Sequence, residues 1–339
     1  MDPILSFAHS QQERIIGLIR ALVECESPSG DTGGIDRFID LLSDVLAPMG
    51  RFRLFKAGHL LCEFDLPGTK KAGRILALGH SDTVWPMGTL ASMPFKQEQG
   101  RLWGPGVLDM KSGIAFFLFA IRAIRELDIP VAKRVALLVS ADEEIGSETS
   151  REIIEREAKR SQAVLVLEPG TGLEGRLKTA RKGVGHYRVN VTGKASHAGV
   201  DFTQGASAIV ELARQIDRIA QFTNLERGTT VNPGVVSGGT RSNVIAAEAS
   251  AEVDFRVARL KDAAPLDKRF RSLKPFDTRC RVEVSGGLNR PPMERTAGVV
   301  SLFRLAQQAG KELGVRVEES STGGGSDGNF TAALGVPTL

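Results

Sequence analysis

The first half of the chain alternates between helix-like and strand-like patterns of apolar residues. Apolar side chains recur at helical spacing over 15–23 and again over 35–46. Ser10-Gln-Gln-Glu13 has the pattern of a capping box, so the first helix is predicted to begin there. Short strand-like runs follow at 52–56, 60–65 and 74–79. The N-terminal region is therefore predicted to hold helices followed by strands.

A second set of patterns follows a loop rich in glycine and proline. Residues 113–127 are predicted to form a helix buried on most sides, and residues 148–160 a helix with a polar face. The runs 135–140 and 163–168 are short and apolar, which is typical of strands covered by helices on both faces. This alternation predicts an α/β domain with a mostly parallel central sheet and helices on both faces.

The pattern changes near residue 182. The elements predicted beyond it follow the order strand, helix, strand, strand, helix, strand, which is the order of a ferredoxin-like α+β domain. They lie at 186–191, 204–221, 229–236, 247–258, 260–273 and 279–285. A helix over 296–313 then resumes the first pattern. We therefore predict a larger domain formed by 1–181 and 293–339, with a smaller domain, 182–292, inserted into it.

Composition and charge narrow the possible partners. The chain has 339 residues, 42% of them hydrophobic, and a net charge of +4, which is too small to indicate nucleic acid as the main partner. No apolar run approaches the roughly 18–20 residues that cross a bilayer. The N-terminus lacks a basic region followed by an apolar stretch. We expect a soluble, cytoplasmic protein with no membrane or nucleic-acid partner.

The charge is unevenly divided along the chain. Residues 182–292 carry a net charge of +6, which leaves −2 for the remainder. Most of these charges can simply form a solvated surface. The functional alternative is a weakly cationic lid above an acidic site that receives an anionic substrate.

Metal-type ligands occur at positions that the predicted fold brings together. They follow three predicted strands and precede the buried helix: His80 and Asp82, Glu143 and Glu144, Glu168, and Asp109. Ligands of open α/β sheets bind outside the carboxyl ends of the strands, so we expect these side chains to converge. One imidazole and several carboxylates suit a divalent cation such as zinc, cobalt or manganese.

Each of these residues also has a simpler structural explanation. A single histidine at a strand end is usually a hydrogen-bonded structural residue. Glu143 and Glu144 precede a helix, whose dipole stabilises negative charge, and Asp109 can cap the helix that follows it. What favours a metal site is their common position at one edge of one predicted sheet, where clustered like charges repel unless a cation is bound.

The spacing His80-x-Asp82 suits a metal-binding imidazole. A ligating histidine needs its other ring nitrogen held, commonly by a carboxylate. Residues i and i+2 of an extended segment point to the same side, so Asp82 can lie beside His80. The adjacent Glu143 and Glu144 point in different directions, so one can bind metal while the other takes a proton from water. Metal-assisted hydrolysis requires that combination.

Taken in order, these motifs resemble a known family. HSDTV, GPGVLDMKSG, ADEEIGS and LEP are similar to motifs of the di-zinc aminoacylase/carboxypeptidase metallopeptidase family. Within it, the chain most resembles the glutamate carboxypeptidases, which remove C-terminal glutamate from folate-type substrates. The likeness extends through GKASHAG, GGTRSNVIA, EVDFRV and TGGGSDGN, nearly the whole chain. It implies a zinc-exopeptidase-like catalytic domain with an inserted lid and dimerisation domain.

The resemblance implies a site for two zinc ions, in which cobalt or manganese can replace zinc. His80, Asp109 and Glu168 would hold one ion. Asp109 would bridge to a second ion, which Glu144 also binds. Asp82 would orient His80.

The same resemblance assigns the catalytic and substrate-binding residues. Glu143 would be the general base, and His197 of GKASHAG would stabilise the oxyanion in the active site of a partner subunit. Asn243 and Arg256 would bind the carboxylate of the substrate. Backbone donors would come from the loop Gly323-Gly324-Gly325. A homodimer formed through the inserted domain is therefore expected.

Two further features of the family concern single positions. The family has another histidine ligand of the second zinc, after the apolar run at which this sequence ends, and no histidine follows His197. We expect that ligand to lie beyond Leu339, although a water could take its place in a weaker second site. The peptide bond between Asp109 and Met110 is expected to be cis.

The expected reaction is hydrolysis of an amide bond next to a free carboxylate, by metal-activated water, in a small peptide or N-acyl amino acid. An N-acyl-amino-acid deacylase, a dipeptidase and a metal-poor binding homologue without turnover are the alternatives. A dinucleotide-dependent dehydrogenase is excluded because the glycines at 104, 106 and 113 lack G-x-G-x-x-G spacing. A serine hydrolase is excluded because GHSDT lacks the second glycine of G-x-S-x-G.

Overall fold

A computed structural model describes residues 2–339, which fold as two compact units. The first unit comprises the chain up to Thr179 together with Arg295–Ser321 and Ser326–Leu339. The second, here called the inserted unit, comprises Ala180–Glu294 and Thr322–Gly325. The role of the inserted unit as a lid and dimerisation domain stays a prediction.

The N-terminal part of the first unit alternates helices and strands. Its elements are α1 Pro3–Ser10, α2 Gln12–Glu24, α3 Thr32–Leu46, β1 Gly50–Leu54, β2 Leu60–Phe64, β3 Arg74–His80, β4 Lys96–Glu98, β5 Arg101–Trp103, α4 Ser112–Glu126, β6 Arg134–Ser140, α5 Arg151–Lys159, β7 Ala163–Val166 and β8 Leu177–Arg181.

The chain then passes through the inserted unit and returns. The inserted elements are β9 Gly183–Thr192, α6 Ala208–Ala220, β10 Thr230–Gly238, β11 Glu248–Val257, α7 Ala263–Arg271 and β12 Arg281–Arg290. The returning elements are α8 Ala297–Glu312, β13 Glu319–Thr322 and α9 Gly328–Ala333.

The central sheet of the first unit has the strand order β1-β2-β6-β3-β7. β3 is parallel to β6 and β7, whereas β2 is antiparallel to both β1 and β6. The predicted α/β class is confirmed: four of the five strands run in the same direction, and β2 runs opposite to them. The reason is the short connection 55–59 between β1 and β2, since strands joined by so few residues pair antiparallel.

Helices cover both faces of this sheet because successive strand residues point to opposite sides. Ala77 and Leu137 belong to the core that the sheet forms with α2, α3 and α4. Their neighbours Leu76 and Leu138 belong to the core formed with α5 and α9. Burial on both faces explains why these strands are apolar at consecutive positions.

The inserted unit holds a four-stranded antiparallel sheet with the order β10-β11-β9-β12. With α6 after β9 and α7 after β11, this is the ferredoxin-like arrangement that the sequence predicts. Tyr187 and Phe255 face the helices, and Tyr187 stacks on Phe270 of α7. His186 and Arg188 are exposed on the other face. The sheet therefore has one covered face and one polar face.

The predicted helix over 15–23 is α2, which begins at Gln12, and a further helix, α1, precedes it. Asp2 accepts hydrogen bonds from the backbone N–H groups of Ile4 and Leu5, and it caps α1. Ser10 is the last residue of α1 rather than a cap, and its hydroxyl donates to the carbonyl of Phe7. The capping-box prediction is wrong because Ser10 belongs to α1, and Gln11, which precedes α2, makes no side-chain capping bond.

Within residues 2–339, no helix combines the length and the apolar character needed to cross a membrane. The cytoplasmic location stays a prediction from the sequence.

Candidate active site

The ends of β3, β6 and β7 bring the predicted metal ligands to one edge of the sheet. His80 is the last residue of β3 and pairs with Ser140, the last residue of β6. The loop after β6 carries Glu143 and Glu144, and Glu168 follows β7. Because these three strands are parallel, their carboxyl ends meet, as the sequence predicts.

Four carboxylates surround one buried imidazole at this edge. His80 is 2% exposed, and its Nε2 lies 3.2 Å from Asp109 Oδ1 and 3.8 Å from Glu168 Oε1. Ligand atoms of His80, Asp109 and Glu144 lie within 4.8 Å of one another, as do those of His80, Glu143 and Glu168. The structure thus brings together all five residues that the sequence proposes as metal ligands or base.

Asp82 is fully buried and connects the imidazole to the glutamate loop. Nδ1 of His80 lies 2.9 Å from the backbone oxygen of Asp82 and 3.5 Å from its Oδ1. A carbonyl can only accept, so Nδ1 carries a proton, and Nε2 faces the acids and can offer its lone pair to a metal once its own proton is displaced. The Asp82 carboxylate accepts the backbone N–H groups of Glu143 and Glu144, each at 3.1 Å. It therefore positions both glutamates as well as the imidazole.

Asp109 lies in an irregular turn directly before α4. Its peptide bond to Met110 is cis, as the resemblance implies. The next residue, Lys111, is 1% exposed and donates from Nζ to the carbonyl of Cys25 at 2.9 Å. Burial lowers the pKa of Lys111 to about 8. The hydrogen bond of the buried lysine fixes the turn in place, whereas the side chain of Asp109 is 52% exposed.

The electrostatics of the cluster favour a positive charge at its centre. Burial raises the pKa of the Glu144 carboxyl to about 7, and the charges of Asp109, Asp82 and Glu168 add to this rise. For His80, burial acts to lower the pKa, but hydrogen bonds to Asp109 and Asp82 outweigh it and raise the pKa well above its usual range. A divalent cation supplies the positive charge that such a cluster favours.

The sequence did not predict a series of hydrogen bonds that links Ala141, His59, Thr149 and Asp142 next to the glutamate loop. The N–H of Ala141 donates to Nδ1 of His59 at 3.1 Å, so Nε2 carries the proton of the neutral ring. Nε2 then donates to Thr149 Oγ1 at 2.9 Å, and this hydroxyl donates to Asp142 Oδ2 at 2.7 Å. No motif surrounds His59 in the sequence, and its partners come from a distant segment, so no local signal identifies it.

In the inserted unit, His197 and Asn243 lie on adjacent segments. His197 forms an isolated bridge with Val244, and the N–H of Ala198 donates to the carbonyl of Asn243 at 3.0 Å. The N–H of Gly199 donates to Nδ1 of His197 at 3.1 Å. The neutral imidazole therefore carries its proton on Nε2, where it can donate a hydrogen bond from an exposed side chain.

Arg256 lies on the polar face of the inserted sheet and is paired with Asp254. Its Nε and Nη2 bind the Asp254 carboxylate at 2.9 and 2.8 Å, and Nη1 donates to the carbonyl of Gly323 at 3.4 Å. The structure therefore places Arg256 beside the predicted glycine loop. It also shows that one edge of the guanidinium already binds a carboxylate.

The glycine loop is held by hydrogen bonds of its own backbone. The N–H of Gly324 donates to Thr322 Oγ1 at 3.2 Å, within its own turn. The carbonyl of Gly325 accepts from Arg181 Nη1 at 2.9 Å. The hydrogen bonds of this loop thus include carbonyl groups that accept from arginines. The backbone donors that the resemblance implies for this loop stay a prediction.

Comparisons with known proteins identify relatives of this chain. Residues 76–339 match peptidase family M20/M25/M40. The chain is 32% identical to carboxypeptidase G2 of Pseudomonas sp. (strain RS-16) over 98% of this chain and 82% of that protein. It is 29% identical to the succinyl-diaminopimelate desuccinylase of Parvibaculum lavamentivorans over 92% of this chain and 83% of that enzyme.

Solved structures share the fold. The crystal structure of an aminopeptidase from Bacillus cereus superposes with a TM-score of 0.79 at 23% identity, over 96% of this chain and 89% of that one. The family match covers most of the chain, and the relatives include metallopeptidases and deacylases. The chain therefore belongs to peptidase family M20/M25/M40 and is a hydrolase of that family.

Proposed function

We propose that this protein is a zinc-dependent hydrolase that cleaves an amide bond next to a free carboxylate, with the specificity of a glutamate carboxypeptidase. The observation that carries the proposal is the cluster of four carboxylates around the imidazole of His80. The similarity to carboxypeptidase G2 over 98% of this chain supports the choice of substrate class.

The donor set of the cluster fits a divalent metal. His80 Nε2 faces carboxylate oxygens of Asp109 and Glu168, so a metal that displaces its proton would meet nitrogen and oxygen donors together. These three residues would hold one ion, and Asp109 with Glu144 would hold a second. Imidazole and carboxylate donors together suit zinc, cobalt or manganese. When bound, such an ion lowers the pKa of a bound water and polarises the carbonyl of the scissile amide.

Glu143 would serve as the general base. It is 9% exposed, its backbone N–H is held by Asp82, and its carboxylate lies in the ligand group with His80 and Glu168. A carboxylate held there can take the proton from the attacking water and return it to the nitrogen of the leaving amine. Asp82 keeps both Glu143 and His80 in the required positions.

Residues of the inserted unit would recognise the substrate. Arg256 and Asn243 would bind its free carboxylate, and the Nε2–H of His197 would donate to the oxyanion. Because Asp254 occupies the Nε–Nη2 edge of Arg256, the substrate carboxylate would bind the edge formed by Nη1 and Nη2. The net charge of +6 on 182–292 supports an anionic substrate.

A homodimer through the inserted unit is part of this proposal. β10 lies at the edge of its sheet and leaves Val235 and Val236 57% and 56% exposed. The neighbouring α6 leaves Ile209 and Val210 about half exposed, beside a groove of about 280 Å³. An edge strand flanked by exposed apolar residues favours pairing with another chain. Sedimentation should show a dimer that Val236→Lys weakens.

An N-acyl-amino-acid deacylase is the second candidate. It is favoured by the 29% identity to a succinyl-diaminopimelate desuccinylase. The chemistry at the amide would be the same, and the two candidates differ in the acyl group and the amino-acid side chain that the enzyme prefers. They can therefore be separated only by the choice of substrate.

A substrate panel tests the proposal. Protein treated with chelator is assayed on N-acyl-glutamate, its α-carboxamide and an N-succinyl amine, before and after addition of Zn²⁺ or Co²⁺. We expect metal-dependent release of glutamate, with kcat/KM on the α-carboxamide at least about 100-fold lower because the charge-assisted bonds to the carboxylate are lost.

The panel also identifies the results that oppose the proposal. Faster cleavage of the N-succinyl amine would replace the carboxypeptidase with the deacylase. Equal rates on N-acyl-glutamate and its α-carboxamide would show that the enzyme does not recognise the carboxylate. Activity that persists in chelator would show that the reaction does not need a metal.

A further inference from the structure

The loop that carries Glu143 and Glu144 is closed by an unusual turn. It leaves β6 after Ser140 and ends at Ser147, before α5. Gly146 and Ser147 both have left-handed backbone conformations, with φ of 106° and 60°. A left-handed conformation is unfavourable for a residue with a Cβ atom, so Ser147 needs additional contacts to remain in it.

Asp327 supplies contacts at both ends of this loop. Asp327 comes from the motif TGGGSDGN, immediately before α9, and is 3% exposed. Its Oδ2 accepts the hydroxyl of Ser140 at 2.8 Å, and its Oδ1 accepts the hydroxyl of Ser147. Both serines are fully buried. One carboxylate therefore fastens the end of β6 to the left-handed turn, with the glutamates between them.

The contacts of Asp327 complement those of Asp82. Asp82 accepts the two backbone N–H groups in the middle of the loop, whereas Asp327 holds its two ends. A carboxylate can accept from two hydroxyls at once, one at each oxygen, whereas an amide offers a single acceptor oxygen. The loop is thus positioned by two buried carboxylates that belong to distant parts of the chain.

We propose that Asp327 is a positioning residue, which acts through Ser147 and Ser140 to hold Glu143 and Glu144 in the geometry needed for metal binding and proton transfer. This inference rests on the proposed function of those glutamates. Without the bond from Asp327, Ser147 can leave its left-handed conformation, and the loop shifts. Displacements of about 1 Å at a reacting group can reduce rates about 100-fold.

Ser147→Ala tests the proposal with a matched control in the same segment. Ser147→Ala removes only the hydroxyl bonded to Asp327. Ser150 is also buried, at 1% exposed, but within residues 2–339 its hydroxyl has no hydrogen-bond partner, so Ser150→Ala removes an equal group without that bond. We expect Ser147→Ala to lower kcat and Co²⁺ affinity by about tenfold or more with KM unchanged, and Ser150→Ala to change neither.

Asp327→Asn and the double variant Asp327→Asn/Ser147→Ala test whether the serine acts through the aspartate. If it does, the double variant loses less than the sum of the two single variants, because both changes act on the bond between Asp327 and Ser147. Co²⁺ affinity is measured by calorimetry on all proteins, so the result does not depend on turnover. If Asp327→Asn does not fold, the pair of serine variants decides the matter.

The outcomes separate the inference from the proposed function. Equal kcat and equal Co²⁺ affinity in Ser147→Ala and Ser150→Ala would overturn the positioning role while leaving the proposed function intact. An unsubstituted protein that neither binds Co²⁺ nor hydrolyses the panel would instead overturn the proposed function, and the inference with it. Loss in Ser147→Ala alone, with non-additivity in the double variant, supports Asp327 as the positioning residue.

Discussion

The candidate residues of the two units differ in how firmly the fold holds them. In the first unit, His80 and Asp82 are 2% and 0% exposed, and each is bonded to other members of the site. In the inserted unit, His197 and Asn243 are exposed, and they are held mainly by backbone contacts of their own segments. Folding alone therefore positions the candidate residues of the first unit.

This difference predicts where each substitution will act. Residues fixed by buried hydrogen bonds form the geometry before substrate arrives, so their loss should appear in kcat and in metal affinity. Exposed residues gain their contacts only when ligand or a partner subunit is present, so their loss should leave metal affinity unchanged. Each prediction below compares one set with the other.

The largest effect is expected at the proposed base of the first unit. Glu143→Ala should fold, bind metal and lose about 1,000-fold or more in kcat, because proton transfer by a positioned side chain typically contributes 10²–10⁴-fold. Steady-state kinetics and metal analysis on the same sample check this. Glu148→Ala, which changes an exposed glutamate directly after the same loop, serves as the control. A Glu143→Ala protein that keeps its activity would exclude this mechanism.

A smaller effect on kcat is expected at His197 of the inserted unit. His197→Ala should lower kcat about 100-fold with Co²⁺ affinity unchanged, since removal of one oxyanion donor costs about 10²–10³ in rate. His186→Ala, an exposed histidine of the same unit, is the matched control and should have full activity. Weakened metal binding in His197→Ala would contradict the division between the two sets.

The way in which each residue is held also explains which residues the sequence could predict. His80, Glu143 and Glu168 were found because each follows an apolar strand, and parallel strands bring their ends together. Asp327 could not be found in this way. It bonds to Ser140 across 187 residues, and no local pattern specifies that contact.

The fold shows a similar limit. The hydrophobic pattern predicted the α/β class and the ferredoxin-like order, because both depend on the sequence of element types. It did not predict that β2 pairs antiparallel with β6, because strand partners are chosen by tertiary packing. Resemblance, rather than pattern, supplied the roles of Asn243 and Arg256, whose neighbours in sequence give no chemical signal.

A change in substrate affinity is expected at Arg256. Arg256→Lys keeps the charge but loses the planar guanidinium that binds two carboxylates at once, so KM for N-acyl-glutamate should rise about tenfold with kcat nearly unchanged. Arg188→Lys, on the same polar face, should leave KM unchanged because its carboxylate partner is Glu252. A rise in KM that is equal for acid and α-carboxamide substrates would show that Arg256 does not bind the carboxylate.

The smallest effect concerns the pH dependence of metal binding in the first unit. The pKa of Glu144 is about 7, raised by burial, so this group is protonated below pH 7 in the metal-free protein. A metal must displace that proton. Glu144 should therefore reduce Co²⁺ affinity by up to about tenfold for each pH unit below pH 7, and it should have no such effect above pH 7. His80, whose pKa is also raised, contributes a slope of its own.

The signature of Glu144 is therefore a change of slope near pH 7 rather than the slope itself. Calorimetric titrations from pH 6 to 8 measure it, and Glu144→Gln, which cannot titrate, should bind more weakly and lose the change of slope. Stability gives the opposite sign: the folded pKa exceeds the unfolded value near 4.5, so metal-free protein should lose stability as pH rises from about 4.5 to 7. The stability of the metal-free protein is measured at pH 5 and pH 7 alongside that of Glu144→Gln. Equal stability at the two pH values would show that the folded protein does not keep Glu144 protonated.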